Sequence, residues 1–253
     1  MNDALHWNKI APDYEKEIFN VFKSDRKKKL KKYVMKYADR EHTAIDFGCG
    51  VGNALPLLSP LFKEILAVDV SEKCIARAKS VPHKHNVTFR VIDLAAKKIK
   101  LPLVDFAFCC NVAMSDDVKR NQRIINNVLA SINVGGIAMF VLPSLESVTT
   151  SAMSLIGWHE REGTELGDIP KNELANFKTD NKQHLMQGIV RIDQHPTKHY
   201  LFTELFSMFN TEQFKMQGLD RLEYDWTTEF DSPPSWMQSP YPWDWLVAVK
   251  RTK

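Results

Sequence analysis

Apolar positions recur along this chain in blocks, and the blocks define most of its elements. Trp7, Ile10, Tyr14 and Ile18, then Phe19 and Phe22, follow one another at spacings of three and four, the stripe of an amphipathic helix. Pro12 suits a first helical turn, so a break near Ala11 divides residues 1–40 into more than one helix. Five short apolar runs follow. The first, Ala44-Ile45, ends at Asp46; residues 65–68 end at Asp69, and residues 87–92 at Asp93. Residues 105–110 lead into Asn111, and residues 137–142 close the series. Between these strands, residues 54–58 look helical, and Ser71 caps a helix over 72–80. Val118, Ile125, Val128, Leu129 and Ile132 form a further helix face, with Gly135-Gly136 as its stop. Strands and helices alternating through short loops predict an α/β chain with a parallel, doubly wound sheet.

Beyond residue 143 the rhythm changes. A semi-apolar helix spans 147–159, a polar turn 163–169, and a second helix, polar on one side, 171–185. Residues 188–193 and 198–202 flank Gln194-His195-Pro196-Thr197 as a β-hairpin. A helix over 203–217 ends at Gly218, and strands over 221–230 and 245–250 are joined by a loop rich in proline and tryptophan. An insertion at 144–202, lying over the strand ends, is placed where a substrate lid belongs.

Composition narrows the setting. A chain of 253 residues that is 44% hydrophobic buries one large core, and one domain with an insertion fits it better than two. A formal net charge of +3 is too small to imply nucleic acid by itself. The four cysteines, at 49, 74, 109 and 110, lack paired metal-ligand spacing and read as reduced thiols of a cytoplasmic protein. No apolar run approaches the ~20 residues that span a bilayer. Met1-Asn2-Asp3-Ala4 lacks the basic-then-apolar form of a signal peptide. The cations from Arg26 to Lys32 share their stretch with Leu30, Tyr33, Val34 and Tyr37. That is the pattern of a solvated amphipathic helix, and it weighs against a nucleic-acid patch.

The chemistry gathers after the first strand. Phe47-Gly48-Cys49-Gly50-Val51-Gly52-Asn53 breaks a buried strand into a glycine-rich turn and a helix, which is how an open α/β sheet makes a nucleotide site at its carboxyl edge. Glycine permits positive φ and close approach of backbone to ligand, and the helix behind offers free N–H groups. A dinucleotide fingerprint needs its third glycine one place later, where Asn53 stands. Asp46, two residues before Gly48, repels a pyrophosphate and favours a cationic ligand.

An acidic residue followed by Gly-x-Gly-x-Gly resembles motif I of the class I S-adenosylmethionine-dependent methyltransferases. The resemblance extends over about residues 7–143 and 200–250 and implies a Rossmann-like, seven-stranded, mostly parallel sheet with an antiparallel last strand. It also implies an N-terminal helical cap at 1–40, with the lid at 144–202 unmatched. The expected cofactor is S-adenosylmethionine. Asp46 with Gly48, Cys49, Gly50, Gly52 and Asn53 would hold its methionine end, Asp69 and Val70 the ribose, and Asp93-Leu94 the adenine. Asn111 would lie near the transferred methyl. A carboxylate suits a vicinal diol because its two oxygens both accept, and three acids at successive strand ends converge on one crevice. The stretch around Trp7 and Tyr14 is similar to the cap of small-molecule methyltransferases, where such a tyrosine closes over the cofactor. Plain helix packing of those aromatics is an equal reading.

The resemblance predicts in-line methyl transfer to O, N or S of a small-molecule acceptor. Positioning supplies much of such a rate, so a general base is needed only for a nucleophile that keeps its proton. His159 and His199 are the candidates, against readings as a helix-end histidine and a core histidine. Trp158, Trp236 and Trp243 could enclose an acceptor or simply pack the lid and loop. Three alternatives stand beside this one. They are an RNA or protein methyltransferase using residues 26–32, a nicotinamide-dependent oxidoreductase, and a non-catalytic nucleotide binder. No pair of histidines carries helical ligand spacing with a third partner, so no metal is expected.

Overall fold

The computed structural model describes residues 3–192 and 195–253. Its N-terminal stretch is helical but interrupted: α1 (Asp3–Ile10), a 3-10 turn at Ala11–Asp13, α2 (Tyr14–Glu17), α3 (Val21–Ser24) and α4 (Lys29–Tyr37). Pro12 stands in that turn, as its missing N–H requires. The alternation then follows as β1 (Thr43–Phe47), α5 (Leu55–Leu58), β2 (Glu64–Asp69), α6 (Glu72–Ala78), β3 (Val87–Val91), β4 (Val104–Cys110), α7 (Val118–Ala130) and β5 (Ile132–Pro143). The Ser71 hydroxyl accepts from the Cys74 N–H and caps α6.

The chain continues through α8 (Leu145–Arg161), α9 (Lys182–Met186), β6 (Ile189–Ile192), β7 (His195–Lys198), α10 (Phe202–Phe209), β8 (Phe214–Glu223) and β9 (Trp243–Arg251). Seven strands form one sheet in the order β3-β2-β1-β4-β5-β9-β8, while β6 and β7 pair separately. The pairs from β3 through β5 are parallel, and β9 runs antiparallel to both neighbours. The expected mostly parallel sheet with an antiparallel last strand is therefore present.

Helices cover both faces. Ile124, Ile125 and Val128 of α7 with Leu205 and Phe209 of α10 bury one face. Leu30 and Val34 of α4, Leu55 and Leu58 of α5, and Ile75 of α6 bury the other. Burial on both sides is why the central strands read as unbroken apolar runs.

Several sequence boundaries move. The helix expected to stop at Gly135-Gly136 ends at Ala130, and the glycine pair lies inside β5, where its register with β4 shifts. There a Cβ on Gly136 would stand 2.8 Å from the Asp105 carbonyl. The helix expected over 171–185 shrinks to a 3-10 turn at Ala175–Phe177 and α9, because the Asn181 side chain accepts from the His184 N–H and starts the helix there. The hairpin exists, but its second strand is His195–Lys198 and Phe202 already opens α10. Asp193 and Gln194, read as its strand end and turn, lie outside the described residues, as do Met1 and Asn2. The helix expected over 203–217 stops at Phe209, after which the Thr211 hydroxyl takes the Phe214 N–H and β8 begins. That strand ends at Glu223, short of Phe230.

Candidate functional site

Parallel pairing sets Asp46 beside Ala67, and Phe47 beside both Val68 and Cys109, so the ends of β1, β2 and β4 open at one edge. The glycine turn sits there with φ of 67° at Gly48, 53° at Gly50 and 90° at Gly52, backbone that only glycine adopts freely. A Cβ on Gly48 would strike Val112, and one on Gly50 would lie 2.5 Å from the Tyr14 hydroxyl oxygen. Gly52 instead lets the turn pack on Ala78 of α6.

Asp69 ties this turn together. Its Oδ2 accepts from the Gly50 N–H at 2.9 Å and its Oδ1 from the Ser71 N–H at 2.8 Å. Burial pushes its carboxyl up, and those backbone donors pull it back. Asp46 lies deeper, at 2% exposure, and its Oδ2 has no partner among the described residues. Burial, and then the charge of Asp69, pushes it up to about 7. A buried, unpaired carboxylate is costly, and a cation placed over it would offset that cost.

A cavity of about 80 Å³ fills the edge. Gly48, Gly50, Asp69, Val70, Leu94 and Asn111 line it, with Trp7 and Tyr14 closing the top. Ligand pockets run to roughly 300 Å³ or more, so the cavity as it stands is smaller than a nucleoside needs. That cap is latched to α6. Asn8 accepts from the Ser71 hydroxyl at 2.7 Å, and Arg77 bonds the Ala11 carbonyl and the Glu15 carboxylate. Burial, and then Asp69, pushes the Tyr14 phenol up, so it remains neutral.

The remaining candidates divide. Cys49 is buried in the turn, its thiol pushed up chiefly by burial. Gly52 and Asn53 do not line the cavity. Asp93 faces outward, accepting from the Ala95 N–H at 2.9 Å and lying 3.6 Å from Arg120, while its neighbour Leu94 forms the wall. Neither histidine lines the cavity. His159 Nε2 meets the Glu173 carboxylate at 2.8 Å. His199 is buried, with Nδ1 2.9 Å from the Thr197 carbonyl; desolvation lowers it to about 4. Trp158 and Trp226 both pack on Phe230, and Arg161 stacks over Trp236. Three of the six cations of the basic run are engaged with β8 or the residue beyond it: Arg26 pairs with Asp225, Lys27 with Glu223 at 2.6 Å and Lys29 with Asp220 at 2.5 Å.

Sequence reasoning missed Asp244. Its Oδ2 accepts from the Tyr224 hydroxyl at 2.7 Å and from Asn111 Nδ2 at 3.2 Å. The signal was available as an acid at the head of the otherwise apolar run Trp243–Val249. Its link to Asn111, 133 residues away, was not. Among the described residues no cluster of three or more histidines, cysteines or acids is placed to hold a metal, and no helix is long and apolar enough to cross a membrane.

Residues 44–136 match a family model described as a methyltransferase domain. The matched segment holds β1 to β4, the glycine turn and the start of β5, and the match agrees with the resemblance to class I S-adenosylmethionine-dependent methyltransferases drawn from that turn. No curated protein matches it in sequence. Solved structures share the fold at low identity. The DhpI complex with SAM and HEP aligns at TM-score 0.60 and 16% identity over 98% of this chain and 95% of that one. A SAM-dependent methyltransferase from Anabaena variabilis aligns at 0.60 and 12%, over 99% and 93%. Magnesium protoporphyrin IX methyltransferase (ChlM) from Synechocystis, with bound SAH, aligns at 0.57 and 12%, over 98% and 97%.

Proposed function

We propose that the protein transfers a methyl group from S-adenosylmethionine to O, N or S of a small-molecule acceptor. The observation that carries the donor half is Asp69. It braces the Gly50 and Ser71 N–H groups at the cavity, and carboxylate lone pairs remain for a ribose diol. The ordered strand ends match the ligand's own order, with adenine at Leu94 after β3 and ribose at Asp69 of β2. The methionine end falls on the turn after β1 above Asp46, and the methyl falls beside Asn111 after β4. When bound, the donor supplies an already activated methyl on a sulfonium. This chain's part is to hold the acceptor in line and to exclude water. Neither His159 nor His199 lines the cavity, which supports a transfer carried by positioning.

The acceptor half rests on enclosure. Trp7 and Tyr14 of the N-terminal cap stand over the cavity; the lid assigned to 144–202, within a single domain spanning 1–253, is part of this reading, and none of its described residues lines the cavity. Lys27 and Lys29 are committed to β8, and Arg26 to Asp225 just beyond it, which weakens the case for a polyanionic acceptor. DhpI and ChlM, both similar in fold, are named for small ligands or substrates in their solved structures. A cytoplasmic location agrees with the cysteines reading as reduced thiols.

The test has two arms. Calorimetry with S-adenosylmethionine and S-adenosylhomocysteine should give saturable heat, and silence there sinks the donor half. A thermal-shift screen of metabolites with S-adenosylhomocysteine present should then find a ligand that raises the melting temperature. An RNA that binds with a steep salt dependence would instead favour a polyanionic acceptor.

A further inference from the structure

Asp244, at the head of β9, has no task in the donor site as described. It stands in register between Pro143 of β5 and Leu222 of β8, at the carboxyl edge of the parallel strands. Its Oδ2 takes two hydrogen bonds, from the Tyr224 hydroxyl and from Asn111 Nδ2. Burial pushes the Asp244 carboxyl up, while the hydrogen bonds from Tyr224 and Asn111 pull it back toward the ionised form; as a carboxylate it only accepts, so it fixes which end of the Asn111 carboxamide faces β9. The nitrogen must point toward Asp244, and the carbonyl Oδ1 must point away from it. That Oδ1 is buried and accepts no hydrogen bond from the described residues. Asn111 also holds φ at 53° and lines the cavity with Gly48 and Asp69. A buried acceptor left open in a strained residue calls for an explanation.

We propose that Asp244 is a positioning residue: it turns the Asn111 carbonyl oxygen toward the sulfonium, so that the site favours the cationic donor over the neutral thioether left after transfer. This inference rests on the donor reading above. In that reading the strand after ribose and methionine is β4, which brings the methyl-bearing sulfur to the Asn111 side. The negative end of a carbonyl dipole stabilises a sulfonium and does little for a thioether. Tyr224 in turn holds the carboxylate, as the second donor to the same oxygen. The carboxylate therefore acts one amide away from the cavity, and its effect passes through Asn111.

Calorimetry on the full chain with S-adenosylmethionine and with S-adenosylhomocysteine reads this out as the ratio of the two dissociation constants. Both ligands fill one site, so a general loosening weakens both alike and leaves the ratio fixed. Asp244→Asn should erode the preference for the cation by about tenfold, because the introduced carboxamide can donate to Asn111 Oδ1 and let it turn. Asn111→Gly, which tolerates positive φ, should erode it by a similar factor. In the Asn111→Gly background, Asp244→Asn should leave the ratio within about twofold. Asp244→Ser repeats the comparison should the carboxamide unfold the sheet edge. An unchanged ratio in the Asp244 variants overturns the inference, as does an undiminished drop in the Asn111→Gly background. A wild-type protein that takes up neither ligand removes the donor reading itself, a failure seen before any variant is made.

Discussion

The Tyr14 hydroxyl rests on the backbone of Gly50, so near that a Cβ at that glycine would fall 2.5 Å from it. One contact thus joins the N-terminal cap to the turn at the heart of the sheet edge, and it makes Gly50 doubly constrained. Its φ of 53° disfavours any side chain, and the space is taken. Gly50→Ala should destabilise the protein by about 2–3 kcal/mol in chemical denaturation, one part strain and one part clash. In the Tyr14→Ala background the clash is gone and only the strain remains, so Gly50→Ala should cost less there than in the wild type but still cost something. No cost at all in that background would mean that the backbone there is unstrained.

Asp69 links β2 to the turn after β1 through the Gly50 N–H. Asp69→Ala should weaken S-adenosylhomocysteine binding by on the order of 1–3 kcal/mol, because a diol loses its acceptor and the Gly50 N–H loses its brace. Asp69→Asn should fall between, since one carboxamide oxygen still accepts. Calorimetry decides it: affinity unchanged in Asp69→Ala would show that the diol lies elsewhere.

The strand-to-turn chemistry around Asp46, Gly48 and Asp69 was legible in the sequence because local rules govern it. Buried parallel strands are continuous apolar runs, and their carboxyl ends carry the polar residues. The C-terminal third resisted the same reading. Leu205, Phe209 and Met216, four and seven residues apart, continue a helical spacing on paper, yet Asn210 and Thr211 divert the backbone by taking the Met216 and Phe214 N–H groups. Side chains that bond their own backbone compete with the helix at one particular place, and spacing does not reveal where. Asp244 was out of reach for another reason. Its partners Tyr224 and Asn111 lie on elements brought together only by the sheet order.

Asp46 should give the free protein a pH signature. Its folded value, about 7, lies above the ordinary carboxyl value, and burial is the main cause. The group therefore contributes full stability where folded and unfolded chains both hold the proton, and that stability is lost as pH rises from about 4 through about 7. Asp46→Asn removes the loss, so its melting temperature should exceed the wild type's at pH 8 and converge on it near pH 4. A cationic ligand favours the ionised carboxylate, so binding should release a proton near pH 7 and strengthen as pH rises through that value. Calorimetry in buffers of different ionisation enthalpy counts that proton. Wild-type heats that are independent of the buffer would separate Asp46 from the ligand.

His199 should act with the opposite sign. The Thr197 carbonyl can only accept, so Nδ1 carries the hydrogen and the ring is neutral. Burial holds its folded value down at about 4, below the ordinary value near 6.5. Stability from a depressed histidine is complete above the unfolded value and is lost as pH falls from about 6.5 toward about 4, because the unfolded chain takes up the proton first. That window overlaps the one in which Asp46 gains, so the wild-type profile between pH 4 and 7 is a partial cancellation, and the variants separate its parts. His199→Asn places an amide N–H where Nδ1–H stood and keeps the bond to Thr197 without a titrating ring. Its stability in urea should fall less on acidification than the wild type's. Combined with Asp46→Asn, it should leave a profile flatter than either single variant gives. A His199→Asn protein that loses as much stability as wild type between pH 6.5 and 4.5 would place the acid sensitivity on other groups.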